Sequence, residues 1–484
     1  MDGYDLIVIG GGTSGFIVAI GAIRLGLKVA MIEKNSSLGG LSLHNGCVHS
    51  KTILHVAHTA NTVRQATQYG LDTAMLPVDL SKVNNYVNQL ANELVIKESY
   101  DVHNLFQQLG GAIIFGVAQF IDVNKIAVND QVLQAKKFVV ATGSRPLLPC
   151  VKGLDNIGYI TTNGVFNQQK LWQKLVIIGG HPAAIEFAQA FARLGCKVSI
   201  VINSDSILPQ EDPELVSKIK DALLLDGIDI YLNVAVQTAY MERHNKVLEC
   251  VHDSGETFTV SGDQILAAIG GSPNVEGLGL ENAGIKYNSE GILVDRLLQT
   301  SCKHIYALGD VINSPYKLTH MAEYQANILL SNMLFRSFSK VKYQGFPYVI
   351  FTDPEYAHVG LSEQQARANK YKKIEIFRFD FKDLDSAIIN NSSLGMIKVV
   401  TSKGRVIGAS IFGPHASNLI TEWSLAIKMR AKLADVAATI HAYPTLAQIN
   451  RRVASKQSTK RFFLQRNYIS TYHHRILAML FDRP

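Results

Sequence analysis

A glycine-rich turn between a short buried strand and a helix constrains this 484-residue chain more than any other feature. The apolar run 6–9 leads into GGGTSG at 10–15, and a helical stretch continues to residue 26. A second apolar run, 28–32, follows and ends at Glu33. This order of strand, turn, helix, strand and acid predicts a parallel sheet covered by helices.

Three glycines of the turn have separate tasks in a dinucleotide site. Gly10 makes the tight turn, Gly12 lets a pyrophosphate approach the backbone, and Gly15 lets helix and strand pack closely. The start of the helix presents free N–H groups to the phosphates. Glu33 can accept a hydrogen bond from a ribose 2′-OH. The segment therefore predicts a dinucleotide-binding domain rather than a generic turn of an α/β protein.

The composition predicts a large ordered protein. Apolar residues make up 47% of the chain and charged residues 18%, which excludes a disordered or collagen-like protein. The formal net charge is +7, but residues 451–484 alone hold eight Lys or Arg against one acid. Because the excess is confined to this tail, the charge predicts no nucleic-acid partner for the body of the chain.

Cysteine usage predicts neither a disulfide framework nor a metal site. No Cys-x2-Cys pair occurs, and thiols that stay reduced are typical of the cytoplasm, where we expect this protein. The uncharged stretch 6–23 is long enough for a membrane span, but its five glycines fit the strand–turn–helix better. The cysteines are Cys47, Cys150, Cys196, Cys250 and Cys302.

The segment 38–51 reads LGGLSLHNGCVHSK. It resembles the redox loop of the flavin-dependent pyridine nucleotide-disulfide oxidoreductases, among them dihydrolipoamide dehydrogenase, glutathione reductase and mercuric reductase. Further matches come in the family's order and cover most of the chain. They are ATGSRP at 141–146, AIG and PN within 268–274, IYALGD at 305–310, HMAEYQ at 320–325, FTDPE and VGL within 351–361, and HAYPTL at 441–446.

The resemblance implies an α/β fold with two Rossmann-like dinucleotide-binding domains and an α+β C-terminal dimerisation domain. We expect an FAD-binding domain from 1–149 and 275–345, and an NAD(P)-binding domain at 150–274. The dimerisation domain would cover 346–455, before a basic tail at 456–484. The family is homodimeric, and its interface domain completes the active site of the partner subunit.

The resemblance also assigns cofactor contacts. Asp310 would bind the FAD ribitol, 141–146 would form a strand beneath the flavin domain, and NAD(P)H would approach Gly179 and Gly270. The residues expected at FAD are Gly10, Gly12, Gly15, Glu33, Gly40, Gly116, Ala141, Thr142, Gly143, Gly309, Asp310 and Ala322.

In the family's chemistry, two electrons pass from NAD(P)H to FAD, then to a Cys-x4-Cys disulfide, and then to a substrate. This chain keeps Cys47, but Ser42 stands where the interchange thiol belongs. A hydroxyl forms neither a disulfide nor a mixed disulfide, because that chemistry needs a thiolate. We therefore expect no ordinary disulfide reductase activity.

The closing loop also departs from the family. Its disulfide reductases have His directly before Pro-Thr and Glu four residues after the Pro, where this chain has Tyr443 and Gln448. His441 comes two residues early and would point elsewhere. Tyr443 is similar to a metal-site tyrosine of mercuric reductase, yet no cysteine follows Cys302 to deliver Hg²⁺. The sequence thus lacks the usual proton-transfer pair and the mercury dithiols.

The second glycine turn is altered. It reads Gly179-Gly180-His181, and the histidine side chain takes room from a pyrophosphate, although an imidazolium could attract phosphate. The next strand ends in Ile202-Asn203, which is neither the acid that favours NAD nor the Arg that favours NADP. The sequence leaves the nicotinamide preference open.

Two charged residues keep the family pattern. Lys51 matches a lysine near flavin N5, and Glu186 matches its ion-pair partner, so we expect the flavin to accept hydride. Both residues could instead be inherited scaffold. Cys47 could cycle through sulfenic acid or carry a mixed disulfide, or it could be a small half-buried residue.

Several histidines crowd the same segment, at 44, 49, 55 and 58. On a helix that runs on from Cys47, the side chains of Cys47, Lys51, His55 and His58 share one face. That face could be a metal or proton-transfer cluster, or an ordinary surface with satisfied histidines.

We interpret the chain as an FAD-dependent, mercuric-reductase-like oxidoreductase that passes electrons from NAD(P)H to a small acceptor such as oxygen, a quinone or a metal ion. Cys47, Lys51, Glu186 and Tyr443 would carry the reaction. The alternative is a degenerate FAD-bound member with a binding or regulatory role. The basic tail either contacts an anionic membrane weakly or wraps over the dimer body.

Overall fold

The computed structural model describes residues 3–40, 44, 46–72, 77–95, 101–335 and 337–457, so Ser42 and most of the basic tail lie outside the described residues. The chain divides into two compact units. The first comprises Met1–Ile207 and Asp226–Lys342, and the second comprises Leu208–Leu225 and Tyr343–Pro484. The finer domain boundaries expected from the sequence stay a prediction.

A parallel sheet begins the first unit because its apolar runs are buried on both faces. Strand β1 (Tyr4–Ile9) lies between β2 (Val29–Glu33) and β6 (Gln131–Val140), and all three run parallel. β3 (Ala112–Phe115) extends the sheet beside β2, and β19 (Ile305–Ala307) pairs with β6. Antiparallel strands β4 (Ala118–Asp122) and β5 (Lys125–Val128) continue from β6. The helices of this part are α1 (Thr13–Arg24), α2 (Cys47–Gln65), α3 (Leu80–Val95), α4 (Asp101–Gln108) and α8 (Thr319–Phe335).

One predicted strand is wrong in its placement. The family resemblance predicts a strand at 141–146, but β6 ends at Val140 and only β7 (Ser144–Pro146) is extended. The residues 141–143 form a turn, because Gly143 adopts a φ of +67° that redirects the chain. The segment is therefore a loop at the sheet edge, which is where ligands bind in α/β folds.

A second parallel sheet follows in the same unit. Its order is β11-β10-β9-β15-β8, and the helix α6 (Pro182–Leu194) connects β9 to β10. A separate three-stranded antiparallel sheet, β12-β13-β14, follows. Two parallel sheets, each opened by a strand–turn–helix, confirm the predicted α/β class. The elements are α5 (Leu154–Ile157), β8 (Ile160–Thr161), β9 (Lys174–Ile178), β10 (Lys197–Val201), β11 (Asp229–Tyr231), β12 (Val234–Glu242), β13 (Asn245–His252), β14 (Thr257–Gly262), β15 (Gln264–Ala267), β16 (Gly271–Pro273), β17 (Tyr287–Asn288) and β18 (Gly291–Ile292).

The second unit is an antiparallel sheet, β20-β21-β24-β23-β22, packed against helices. Trp423 is fully buried in its core and donates a hydrogen bond of 2.7 Å to Asn450. No helix among the described residues is long and apolar enough to cross a membrane. The elements are α7 (Pro213–Leu225), β20 (Pro347–Ile350), β21 (Glu355–Gly360), α9 (Glu363–Ala368), β22 (Ile374–Asp380), α10 (Asp385–Ile389), β23 (Met396–Ser402), β24 (Arg405–Gly413), α11 (Ala416–Lys428), α12 (Leu433–Ala438) and α13 (448–457).

A buried lysine ties the inserted segment 208–225 to this sheet. Lys398 on β23 is 6% exposed, and its Nζ lies 2.8 Å from Asp212, 3.0 Å from Glu214 and 3.1 Å from Glu363. Burial opposes the charged ammonium, but its hydrogen bonds to the acids outweigh burial and raise the pKa of Lys398. One cation thus neutralises three acids from two parts of the unit, the inserted segment and α9.

Lys398→Ala should destabilise the protein by about 3–5 kcal/mol, because it leaves the buried carboxylate of Asp212 without its cation. Urea unfolding followed by circular dichroism measures the loss. Lys382→Ala, at an exposed position of the same unit, is the control and should stay within about 0.5 kcal/mol of the parent protein. Equal stabilities for the two variants would contradict the assigned role.

Candidate functional site

A cavity of about 530 Å³ lies at the carboxyl ends of β1, β2 and β6 in the first unit. This is the edge at which parallel α/β sheets bind ligands. All but one of the residues predicted to contact FAD line it, and the exception, Gly15, packs behind the turn against Gly10. The lining members are Gly10, Gly12, Glu33, Gly40, Gly116, Ala141, Thr142, Gly143, Gly309, Asp310 and Ala322.

Two of the turn's glycines are required by the packing of the protein itself. Gly10 has a φ of +109°, and a Cβ there would collide with the carbonyl oxygen of Ala141. A Cβ on Gly15 would collide with the carbonyl oxygen of Gly10. The strand, the turn and the helix therefore approach each other as closely as backbone permits.

Gly12 is different, because the protein leaves space around it. Its φ is −76°, which any residue adopts, and the nearest atom to an added Cβ would be the Cα of Gly40 at 3.7 Å. Gly12 caps α1 without a side-chain hydrogen bond to the helix. The open space and the uncapped helix N-terminus fit a pyrophosphate that approaches the backbone at this point.

Glu33 is a fixed carboxylate at the end of β2. It is 5% exposed and accepts hydrogen bonds from the backbone N–H of Gly11 at 2.8 Å and of Asn35 at 2.9 Å. Because a carboxylate has further lone pairs, Glu33 can still accept a bond from a ribose hydroxyl in the cavity.

Asp310 sits just past β19, in the 3-10 turn Gly309–Val311. The turn is held by Gln325, whose side-chain oxygen accepts a hydrogen bond from the N–H of Gly309 at 2.8 Å. Burial raises the pKa of Asp310, while a hydrogen bond from Ser144 and the charge of Lys317 oppose the rise. A partly buried carboxyl group of this kind can form hydrogen bonds with the hydroxyl groups of a ligand.

Sequence reasoning missed several cavity residues. Arg145 forms a bidentate ion pair with Glu276 at 2.8 Å, and the hydrogen bonds of this pair raise the pKa of Arg145 and lower that of Glu276. Arg145 lay inside a matched motif, but no local pattern marked its distant partner. The other lining residues outside the prediction include Thr13, Ser14, Asn163, Asn274 and Thr319.

Cys47 opens helix α2 at the edge of the cavity. Its thiol is exposed, and its Sγ lies 3.5 Å from Oγ1 of Thr319, which lines the cavity. One helical turn further, the Nζ of Lys51 lies 2.7 Å from Oε2 of Glu186 on α6. The ion pair expected from the sequence is thus formed, whereas the roles of all three residues stay predictions.

The histidines of α2 do not gather into a metal site. Within the described ranges, no three His, Cys, Asp or Glu side chains are placed to hold a metal ion. His49 is instead buried against Phe166, with ring centroids 5.1 Å apart, and burial lowers its pKa. His49 therefore acts as a packed neutral side chain at neutral pH.

In the closing loop, Tyr443 is 67% exposed and Gln448 is buried at the start of α13. His441 is turned toward α11, where its Nε2 lies 3.1 Å from Glu422 and its Nδ1 lies 3.0 Å from the carbonyl oxygen of Thr439. Asn450 also donates to Glu422, at 2.8 Å. His441 is thus engaged within its own unit, and Tyr443 is left exposed.

The second glycine turn sits between β9 and α6. Gly179 has a φ of +119° and Gly270 a φ of +114°, and a Cβ on Gly179 would lie 2.6 Å from the carbonyl oxygen of Ala268. His181 follows as the N-cap of α6, and an added Cβ on Gly270 would lie 3.7 Å from its ring. Gly270 therefore lies close to His181 of the turn that Gly179 begins, and the roles of Gly179 and Gly270 at NAD(P)H stay predictions.

Two Rossmann-type sheets, a cavity at the strand ends of the first and a helix that begins with a cysteine at the cavity edge are the architecture of a flavoprotein oxidoreductase with two dinucleotide-binding folds. Known proteins agree. Residues 4–326 match the pyridine nucleotide-disulphide oxidoreductase family, and residues 346–453 match the dimerisation domain of that family. The chain belongs to this family.

Relatives and solved structures extend the comparison. A dihydrolipoyl dehydrogenase of Bacillus subtilis is 33% identical, with 92% of this chain and 96% of the relative covered. A mercuric reductase of Lysinibacillus sphaericus is 32% identical, with 92% and 81% covered. The HOCl-induced flavoprotein disulfide reductase RclA of Escherichia coli shares the fold, with a TM-score of 0.83 at 24% identity over 94% of this chain and 99% of that chain.

Membership confirms the predicted cofactor class. The family binds FAD, and NAD(P)H is its usual partner. The matched dimerisation domain also supports the expected homodimer. The glycine cradle and Glu33 fit FAD, since both line the cavity and the space around Gly12 is open.

Gly12→Ala should lower the affinity for FAD at least about tenfold, or about 1.4 kcal/mol, because its methyl group would occupy ligand space. The protein itself has room for that methyl group, so the apoprotein should fold normally. The ratio of visible to ultraviolet absorbance gives the FAD content, and circular dichroism reports the fold. Gly164→Ala, where a Cβ makes ordinary contacts of 3.4 Å, is the control. Full FAD content in Gly12→Ala would contradict a pyrophosphate at this position.

Proposed function

We propose that this protein is an NAD(P)H oxidoreductase that passes electrons through FAD to a small acceptor instead of a disulfide. The observation that carries the proposal is the Lys51–Glu186 ion pair of 2.7 Å, with Glu186 only 6% exposed. The pair joins the helix that starts at Cys47 to the first helix of the second dinucleotide fold. It survives in a chain whose interchange thiol is replaced by Ser42.

The chain's own residues supply charge and position. Lys51 presents a fixed ammonium one turn from Cys47, where a positive charge favours the arrival of a hydride. Glu186 holds that ammonium in place, because a buried carboxylate needs a partner and restricts where the lysine can point. FAD, when bound, supplies the hydride-accepting chemistry that no side chain of this protein can provide.

The overall reaction balances with one proton from solvent. NAD(P)H gives up a hydride and leaves as NAD(P)⁺, and the two electrons and two protons convert a quinone to a hydroquinone or O₂ to hydrogen peroxide. A metal ion is the third class of acceptor. The name of the mercuric reductase relative supports that class, but this sequence lacks both dithiols that mercury transfer would need.

Cys47 is proposed as a single-thiol redox centre at the cavity edge. Its exposed Sγ beside Thr319 is open to a small oxidant, and a sulfenic acid there is reversible. Tyr443, exposed on the dimerisation domain, would be contributed to the partner subunit's site.

The cellular setting that we propose is the cytoplasm. The basic tail would in addition make a weak contact with a membrane.

An anaerobic titration of the purified protein with NADH and then NADPH tests the proposal. We expect the visible flavin absorption to be lost at near-stoichiometric nucleotide. Lys51→Met should slow this loss by about 10²-fold, because it removes a charge placed for the reaction. Lys170→Met, at an exposed lysine of the same unit, serves as the control. An absorption unmoved by excess nucleotide would refute the proposal.

Ser42→Cys tests the broken relay. If Ser42 alone blocks disulfide chemistry, this variant should gain disulfide reductase turnover that the parent protein lacks, since a thiolate is restored at the required spacing. The measurement is NAD(P)H consumption with lipoamide or glutathione disulfide. Turnover of these disulfides by the unmodified protein would overturn the claim that the relay is broken.

The second candidate function is a degenerate FAD-bound member with a binding or regulatory role. The observation that favours it is the His181 side chain at the start of α6, in the place of the glycine that admits a pyrophosphate. It would be preferred if dithionite reduced the flavin while no nicotinamide did so.

A further inference from the structure

The two parallel sheets of the first unit open with the same strand–turn–helix, so they can be compared position by position. Gly10 and Gly179 take similar φ values, +109° and +119°. A Cβ added to either glycine would collide with a carbonyl oxygen, that of Ala141 in the first copy and that of Ala268 in the second. The backbone path of the turn is therefore preserved in both copies.

The phosphate-binding ends of the two copies differ. Gly12 caps α1 without using any helix N–H, whereas the Nδ1 of His181 accepts the N–H of Ala183 at 3.4 Å. Pro182, the first residue of α6, has no N–H to offer. The donors that receive a pyrophosphate in the first copy are thus partly occupied and partly missing in the second.

His181 offers no compensating charge at neutral pH. Its Nδ1 accepts a hydrogen bond and so carries no proton. Although the residue reaches the surface of its unit, the protein atoms around its ring displace water and lower the pKa of His181, and the charge of Glu186 only partly opposes this. The imidazole therefore fills phosphate space without attracting phosphate.

The ribose-binding ends differ as well. Ile202 follows Gly179 by 23 residues, as Glu33 follows Gly10. Ile202 is 3% exposed, and its Cγ2 lies 3.1 Å from where a Cβ of Gly180 would be. In the first copy the Glu33 carboxylate fills this place and accepts hydrogen bonds, but an isoleucine side chain has no acceptor atom.

The opposite end of the second site is intact. Glu186 lies on α6 only five residues after His181, and it still holds Lys51 at 2.7 Å. The second copy has therefore lost the features that recognise an adenosine diphosphate half and kept the charged pair that serves hydride transfer.

We propose that the second site recognises the nicotinamide half of its electron donor and not the adenosine half. The substrate class is then dihydronicotinamides in general, with dihydronicotinamide mononucleotide used about as well as NADH. This inference rests on the proposed function, because it specifies the donor of the same reaction. The donor gives up the hydride from C4 of its ring and leaves as the oxidised nicotinamide, and both electrons go on to the acceptor.

The first measurement compares kcat/KM for NADH and for the mononucleotide, with a quinone as acceptor. We expect a ratio of about tenfold or less, because binding energy from the remote half would otherwise raise the rate with NADH. A larger preference for NADH overturns the inference.

The second measurement needs no turnover. ADP-ribose, the donor without its nicotinamide, is titrated into the FAD-loaded protein by calorimetry. We expect no saturable binding up to about 1 mM, which corresponds to about −4.1 kcal/mol. Saturable binding below that concentration overturns the inference.

Variants should rebuild the missing half. His181→Gly opens the phosphate space, and adding Ile202→Glu copies the carboxylate of the first fold. We expect the double variant to bind ADP-ribose and to raise the NADH-to-mononucleotide ratio at least about tenfold. If the charge at 202 prevents folding, His181→Gly alone should still raise that ratio. His244→Gly, at an exposed histidine of a hairpin, is the control that leaves it unchanged.

These outcomes separate the two claims. Flavin that bleaches with dithionite but with neither nicotinamide refutes the proposed function, and the inference falls with it. Flavin that bleaches with NADH while the mononucleotide is more than tenfold poorer refutes the inference and leaves the proposed function standing.

Discussion

The close approach of Gly10 to the carbonyl of Ala141 is the constraint on which the rest of the first unit depends. Because the turn after β1 touches the end of β6, the helix α1 begins directly above the sheet edge and its N–H groups face the cavity. The same contact places Glu33, Gly40 and Asp310 around one space. A larger residue at position 10 would separate strand, turn and helix. The cofactor site and the sheet therefore depend on the same close contact.

Local patterns explain why much of this was predictable. The roles of Gly10 and Gly15, the burial of β1 and the position of Glu33 follow from spacing along one short segment. The Arg145–Glu276 pair and the Lys398 cluster could not be predicted in the same way, since their partners are far apart in sequence and no periodicity links them. A strand is predicted at 141–143, where the structure has a loop, because an apolar run followed by a glycine does not reveal where the hydrogen bonds between strands end. Ser42 was read from sequence alone, and its surroundings lie outside the described residues.

Helix α2 connects the two halves of the chemistry. It starts at Cys47, whose Sγ meets Thr319 at the cavity, and one turn later it presents Lys51 to Glu186 of the second fold. A helix is stiff over this distance, so the thiol and the ammonium keep a fixed separation. Loss of the interchange thiol need not disturb this arrangement, because neither contact involves residue 42. The proposed loss of the disulfide relay is therefore compatible with the proposed hydride transfer.

The two dinucleotide folds also show that a turn can keep its backbone shape while the residues beside its first glycine differ. Gly179 is needed by the packing against Ala268 whether or not a phosphate binds, since the strand and helix must still meet there. His181 and Ile202 take no part in the contact between Gly179 and Ala268, so that contact does not fix their identity to that of Gly12 and Glu33. Residues required by the fold and residues required by the ligand thus alternate along one segment. The first glycine of such a motif therefore indicates the fold. The residues at the positions of His181 and Ile202 indicate which ligand the site can bind.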